Sequence, residues 1–259
     1  MNNMLSFVRK LVPSSSANKL HFIKLTCNRF YSNIVNDIEE NSTYHPPSYV
    51  KLPPLTGVRK KQIFDYFLIL DFEATCDAPK NVVPQEIIEF PVLKVNATTF
   101  ETESTFHSYV RPVMNPELTS FCTRLTGITQ EMVDKQPDFE DVYEDFQYWM
   151  HNENILKDGI KFSFITCGDW DLKYIFPIQC KGLRIHVPDY MKRWINIKYS
   201  FETLSSTYPK NMALMMKYSQ LELEGQLHSG IDDCKNLARL VKNLADRGML
   251  FELNAGGRC

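Results

Sequence analysis

No apolar run in the 259-residue sequence approaches the roughly 18 residues of a membrane-spanning helix, and nothing in it reads as one. Its seven cysteines (27, 76, 122, 167, 180, 234 and 259) are scattered, odd in number, and nowhere form a CxxC pair. That argues against a disulfide framework and a structural zinc site, and for reduced thiols. Acids are missing from positions 1–31, where Arg9, Lys10, Lys19, Lys24 and Arg29 stand. The formal net charge of −2 therefore hides an asymmetry, because residues 32–259 hold 24 basic against 31 acidic residues, a net charge of −7. A body of that sign is no general polyanion binder, so any nucleic acid must be gripped locally. Internal repeats are lacking too. With 44% apolar residues the chain can bury one full core, and one domain with extensions is the simplest count.

Residues 1–33 are basic, rich in Ser and Asn, and amphipathic near Leu5, Val8 and Val12 opposite Arg9 and Lys10. That composition predicts a mitochondrial transit peptide and a matrix location, with Arg29-Phe30-Tyr31-Ser32 resembling a cleavage site. The plain alternative is an N-terminal tail on a cytoplasmic or nuclear protein. Residues 34–61, with Pro46, Pro47, Pro53 and Pro54, read as a Pro-rich linker. The main domain is expected over 62–254, followed by a short tail over 255–259.

The stretch that organises the chain is Tyr66-Phe-Leu-Ile-Leu-Asp-Phe-Glu-Ala-Thr-Cys-Asp77. Its apolar run predicts a strand buried on both faces. Alternation then sends Asp71 and Glu73 from the same face at the strand end. Two carboxylates leaving a core strand together are costly unless something positive sits between them. A hard divalent cation held by oxygen answers that need, with a pair of solvated acids as the bland alternative.

Residues 86–95 and 104–110 predict two further strands, antiparallel to their neighbours across short gaps. Pro91 should place the first of them at an edge or a bulge. A helical region is expected from Asn115-Pro116 through Cys122, then a turn at Leu125-Thr126-Gly127-Ile128. Asp138 marks a helix start, with Phe139, Val142, Tyr143, Phe146, Trp149 and Met150 as its apolar stripe. A fourth strand over 162–166 runs into a helix whose first turn holds Asp169 or Asp171, where α/β folds commonly build sites. The closing helix carries Asp232 and Asp233 in its first turn, with His228 just before it.

The polar residues left over are Asp71, Glu73, an Asp at 169 or 171, His228, and an Asp at 232 or 233. That set, in that order, resembles the DEDDh 3′-to-5′ exonucleases. The blocks DFEATCD, QEIIEFPVLKVN, NPELTSFCTRLTGITQ, TCGDWDLK, WINIKYSF and HSGIDDCKN are similar to signatures of the Eri-type exoribonucleases within that group. The resemblance covers about residues 64–254. It selects Asp171, leaving Asp169 as an N-cap, and Asp233, five residues after His228.

The resemblance implies an α/β fold of the RNase H-like exonuclease type, a mixed central sheet with helices on both faces. It implies two Mg²⁺ ions, replaceable by Mn²⁺, with Asp71, Glu73, Asp171 and Asp233 as metal ligands. Glu73 and His228 would be the catalytic pair, His228 taking a proton from the attacking water. Substrate contacts would fall on Glu73, Ala74, Leu125, Thr126 and His228. The partner implied is single-stranded RNA or an RNA 3′ overhang, with no membrane partner. DNA cleavage, trimming of very short RNA, and a catalytically silent RNA-binding relative are the alternatives, because sugar choice depends on 2′-OH contacts that spacing does not reveal. One departure stands out: the family's Arg two residues before the His is Gln226 here.

Overall fold

In the computed structural model, residues 50–256 apart from Asn81 are described. The presequence reading of 1–33 and the first part of the linker lie outside them. Strand β1 (Tyr66–Leu70) is central, and its residues alternate between two cores. Phe67 and Ile69 face one core, while Leu68 and Leu70 face the other, and all four are fully buried. β1 runs antiparallel to β3 (Ile87–Asn96), with Tyr66 opposite Asn96 and Leu70 opposite Val92. On its other edge it runs parallel to β5 (Phe162–Thr166), which in turn pairs in parallel with the short β6 (Ile195–Asn196). β4 (Thr102–Tyr109) covers the outer edge of β3.

β2 (Glu73–Ala74) continues the line of β1 along β3, with Glu73 opposite Glu89. The register thus sets Asp71 against Pro91, and there the ladder is open. Pro91 is therefore not on an edge strand, since β3 is paired on both sides; it stands opposite the interruption of the β1–β2 line.

The helices are α1 (Ser120–Thr126), α2 (Gln130–Asp134), α3 (Phe139–Asn152), α4 (Phe176–Leu183), α5 (Ile197–Ser205), α6 (Met212–Tyr218) and α7 (Gly230–Asp246). α3 begins where Asp138 accepts the N–H groups of Glu140 and Asp141, and its Phe146 and Met150 pack under Phe90 and Phe164. α5, α6 and α7 cover the opposite face through Phe201, Met215, Leu237 and Leu240. The predicted mixed sheet with helices on both faces is thus observed. The expected helix at Asn115 does not form. The buried carboxylate of Glu86 instead collects the N–H groups of Val113, Met114 and Asn115 at 2.7–3.0 Å, and α1 starts only after Thr119.

Residues 50–61, inside the stretch read as a linker, lie against the domain. Val50 joins the core, Arg59 pairs with Asp246 at 2.5 Å, and its guanidinium sits 5.1 Å over the Phe100 ring. Among the described residues no helix is long and apolar enough to cross a membrane.

Candidate active site

The interruption after Leu70 is where the site is built. Asp71 leaves the end of β1, and Glu73 follows on β2 with 9% of its surface exposed. Asp171 comes from a six-residue π-helical turn, Trp170–Ile175, which joins β5 to α4. It is buried, and its Oδ1 accepts the N–H of Phe72 at 2.9 Å, which ties the π turn to the open position of the ladder. Asp169 stands at the N-cap position, as expected, but its side chain makes no capping bond and accepts instead from Nδ2 of Asn196 at 2.9 Å.

The remaining residues arrive with α7. Gly230 lands on the sheet so closely that a Cβ there would lie 2.7 Å from the carbonyl oxygen of Asp71 and 3.1 Å from Glu89 Oε2. Only glycine fits that approach. Two residues back, His228 is exposed and holds a left-handed φ of 63°, a costly conformation for a non-glycine residue. Its N–H donates to Asp233 Oδ2 at 2.9 Å. Donor atoms of Glu73, His228 and Asp233 lie within 4.8 Å of one another. Asp232, by contrast, accepts the N–H of Gln226 at 3.1 Å and pairs with Lys235 at 3.0 Å, closing the loop that carries His228.

Burial first, and like charge after it, works against ionisation in the cluster. Burial, then the carboxylates of Asp171, Glu73, Asp233 and Glu89, push the Asp71 carboxyl well above its ordinary range. Burial and then Glu89 push Glu73 up to about 9. Burial raises both Asp171 and Asp233 to about 6, each partly offset by its backbone donor. Asp233 Oδ1 is buried and has no hydrogen-bond partner among the described residues. An orphaned carboxylate oxygen among mutually repelling acids, with an imidazole beside it, is the donor set of a hard divalent cation. Glu73, His228 and Asp233 are grouped closely enough for such an ion, and Asp71 and Asp171 lie near enough to feel each other's charge.

Sequence reasoning missed Glu89 and His107. Glu89 is 1% exposed, and its carboxylate accepts the N–H of Gly230 at 2.9 Å and that of Ile231 at 3.1 Å. His107 Nε2 lies 2.8 Å from its Oε1. Glu89 thus clamps the start of α7 to the sheet. The one signal for it was an acid flanked by apolar residues inside a strand. Ala74 is buried, its carbonyl 3.7 Å from the Cys122 thiol. Thr126 is also buried, and its hydroxyl is engaged with Cys122 O and Ile128 N at the end of α1. Leu125 beside it is half-buried. Gln226 reaches over that turn, close enough that a Cβ on Gly127 would meet its Nε2 at 2.5 Å.

Acids at the broken end of a central strand, joined by one Asp from a parallel crossover and a His–Asp pair from the last helix, define a nuclease-type carboxylate site on an RNase H-like exonuclease fold. Comparison with known proteins agrees. The family described as Exonuclease (RNase_T) matches residues 68–241. The chain is 54% identical over 192 residues to the human protein named ERI1 exoribonuclease 3, and 38% identical over 196 residues to human 3′-5′ exoribonuclease 1. These matches cover 74% of this chain but only 57% and 55% of the relatives, so it spans a little over half their length. Among solved structures, the nuclease domain of 3′hExo, described as a DEDDh family member bound to rAMP, aligns with a TM-score of 0.72 at 36% identity, covering 76% of this chain and all of that one. Cell-death related nuclease 4 aligns with a TM-score of 0.70 at 30% identity, over 75% of this chain and 68% of its own. The chain belongs to the exonuclease family, in its Eri-type DEDDh branch.

Proposed function

We propose that the chain is a Mg²⁺-dependent 3′-to-5′ exoribonuclease that hydrolyses phosphodiesters from a free RNA 3′ end and releases nucleoside 5′-monophosphates. The observation that carries this is the buried Asp233 oxygen, without a partner among the described residues, set among acids that repel one another and beside His228. Two Mg²⁺ ions, or Mn²⁺ in their place, would supply charge neutralisation at the phosphate and acidify the attacking water. Asp71 lies among the other acids and would help hold these ions. Glu73 and Asp233 would hold the ion on the water side, and Asp171 the other.

His228 is exposed at the rim, and a ring nitrogen there takes the proton from the attacking water. The hydrogen bond from its own N–H to Asp233 fixes the left-handed turn that presents the ring. Backbone and side chain at Glu73 and Ala74, with the half-buried Leu125 and its neighbour Thr126, would border the terminal nucleotide. RNA as substrate is supported by the likeness to proteins named ERI1 exoribonuclease 3 and 3′-5′ exoribonuclease 1.

The test incubates the full chain with 5′-labelled single-stranded RNA and matched DNA, in Mg²⁺ or EDTA, beside Asp71→Ala. A ladder shortening from the RNA 3′ end, lost in EDTA and in the variant, is the result expected. Preference for DNA would move the reading to a deoxyribonuclease. Bound but intact RNA would move it to a silent binding relative. Mitochondrial import is proposed on the composition of residues 1–33 alone, and a fluorescent reporter fused to that segment that remains cytosolic refutes it.

A further inference from the structure

A second group of side chains gathers at the end of β5, next to the carboxylates and unused by the hydrolysis. Tyr199 on α5 and Tyr208 in the loop after it pack ring to ring, with centroids 5.6 Å apart at 49°. Each nevertheless leaves more than a third of its surface in water, 37% and 38%. Single exposed tyrosines are ordinary on protein surfaces, but a packed and exposed pair beside a catalytic cluster is a stacking surface.

Proximity to the cluster is carried by named neighbours. The Lys198 ammonium lies 3.9 Å from where a Cβ on Gly168 would stand, between β5 and the π turn that holds Asp171. It also donates to the carbonyl of Lys210 at 2.8 Å, fastening the Tyr208 loop to α5. Burial, then the nearby Tyr199, Asp169, Glu202 and Cys167, raise the Tyr208 phenol, and burial raises the Cys167 thiol, with Lys198 opposing and Asp71, Asp171 and Asp233 adding to it. Lys173 is exposed two residues after Asp171, its ammonium 5.1 Å over the Tyr174 ring. Lys173, Tyr199 and Trp194 line one groove of about 790 Å³. Trp194, only 2% exposed, has an indole N–H without an acceptor among the described residues. Two acids lie nearby: Asp169 is engaged with Asn196, and Glu202 is exposed.

We propose that Tyr199 and Tyr208, with Lys173 and Lys198, form the track for the single-stranded RNA just upstream of the nucleotide being removed. Bases stack on the tyrosines, and backbone phosphates meet the two ammonium groups. The proposal rests on the exoribonuclease reading above. It answers a need of that reading, because a net acidic body must grip a polyanion with a few local cations. Aromatic stacking suits an enzyme that shortens any sequence, since every base has a π face.

The test measures KM and kcat of the full chain on 5′-labelled RNAs of increasing length, from dinucleotide to octanucleotide, that share the same 3′ end. For the native chain KM should fall with length. In the double variant Tyr199→Ala, Tyr208→Ala, KM for the octanucleotide should rise about tenfold, and the gain with length should vanish. The double Tyr→Phe variant, which keeps both rings, should retain the gain. A loss of equal size at every length, or no loss at any, overturns the track. Binding of a labelled octanucleotide in EDTA, read by fluorescence anisotropy, separates the two readings. A native chain that cleaves nothing refutes the exoribonuclease, whereas the track stands only if the double Ala variant binds about tenfold more weakly than the native chain.

Discussion

Phe67 and Asp71 stand four residues apart on one line of chain, yet they belong to opposite kinds of structure. From Phe67 to Leu70 the strand is fully buried, apolar on both faces, and hydrogen-bonded to a partner on each edge. At Asp71 the antiparallel ladder opens, and five acids (Asp71, Glu73, Glu89, Asp171 and Asp233) crowd together, each raising Asp71 or being raised by burial. The first region stabilises the fold. The second opposes it, and is held by backbone donors from Phe72, His228, Gly230 and Ile231 that point into carboxylates. Stability and chemistry are thus separated along a single strand, and the core tolerates the repulsion at its end.

That contrast can be broken at either side. The largest effect should come from Asp71→Ala, which should lower RNA hydrolysis in Mg²⁺ by about a thousandfold or more while leaving the melting temperature in EDTA unchanged or raised. Leu68→Ala should do the reverse, costing about 2–5 kcal/mol by chemical denaturation with activity per folded molecule retained. Between them stands Glu89→Ala, which would strip the clamp from the start of α7 and leave Gly230 and Ile231 without acceptors. It should cost about 2 kcal/mol in the same assay and weaken catalysis as well.

The acidic end also predicts a pH dependence. A carboxyl whose folded pKa is raised contributes stability below its ordinary value and loses it as pH rises through the folded value. For Asp171 and Asp233 the loss ends near pH 6, and for Glu73 near pH 9. Melting temperatures in EDTA should therefore fall across that window, and Mg²⁺ should flatten the fall. The smallest effect is expected for Gln226→Arg at the rim, within about 0.5 kcal/mol of native stability.

Much of this was legible in the sequence for local reasons. Alternation along an apolar run sent Asp71 and Glu73 to one face, and Asp138 marked the start of α3. The choice of Asp171 over Asp169 came from family resemblance, and only the folded chain shows why the two differ: Asp171 meets the N–H of Phe72, Asp169 the amide of Asn196. Glu89 was not legible, because its role depends on a helix 141 residues later that lands on the strand. Glu86 hid its effect in the same way, by drawing in the N–H groups of 113–115 at the point where sequence alone favoured a helix start. Long-range partners decide such residues, and propensity does not contain them.

The most direct test of the central claim is the thermal melt of the full chain at neutral pH in Mg²⁺ against EDTA, run beside Asp71→Ala. If the broken end of β1 is a cation site, Mg²⁺ raises the melting temperature of the native chain and moves the variant little. No shift in the native chain, or the same shift in both, would contradict it.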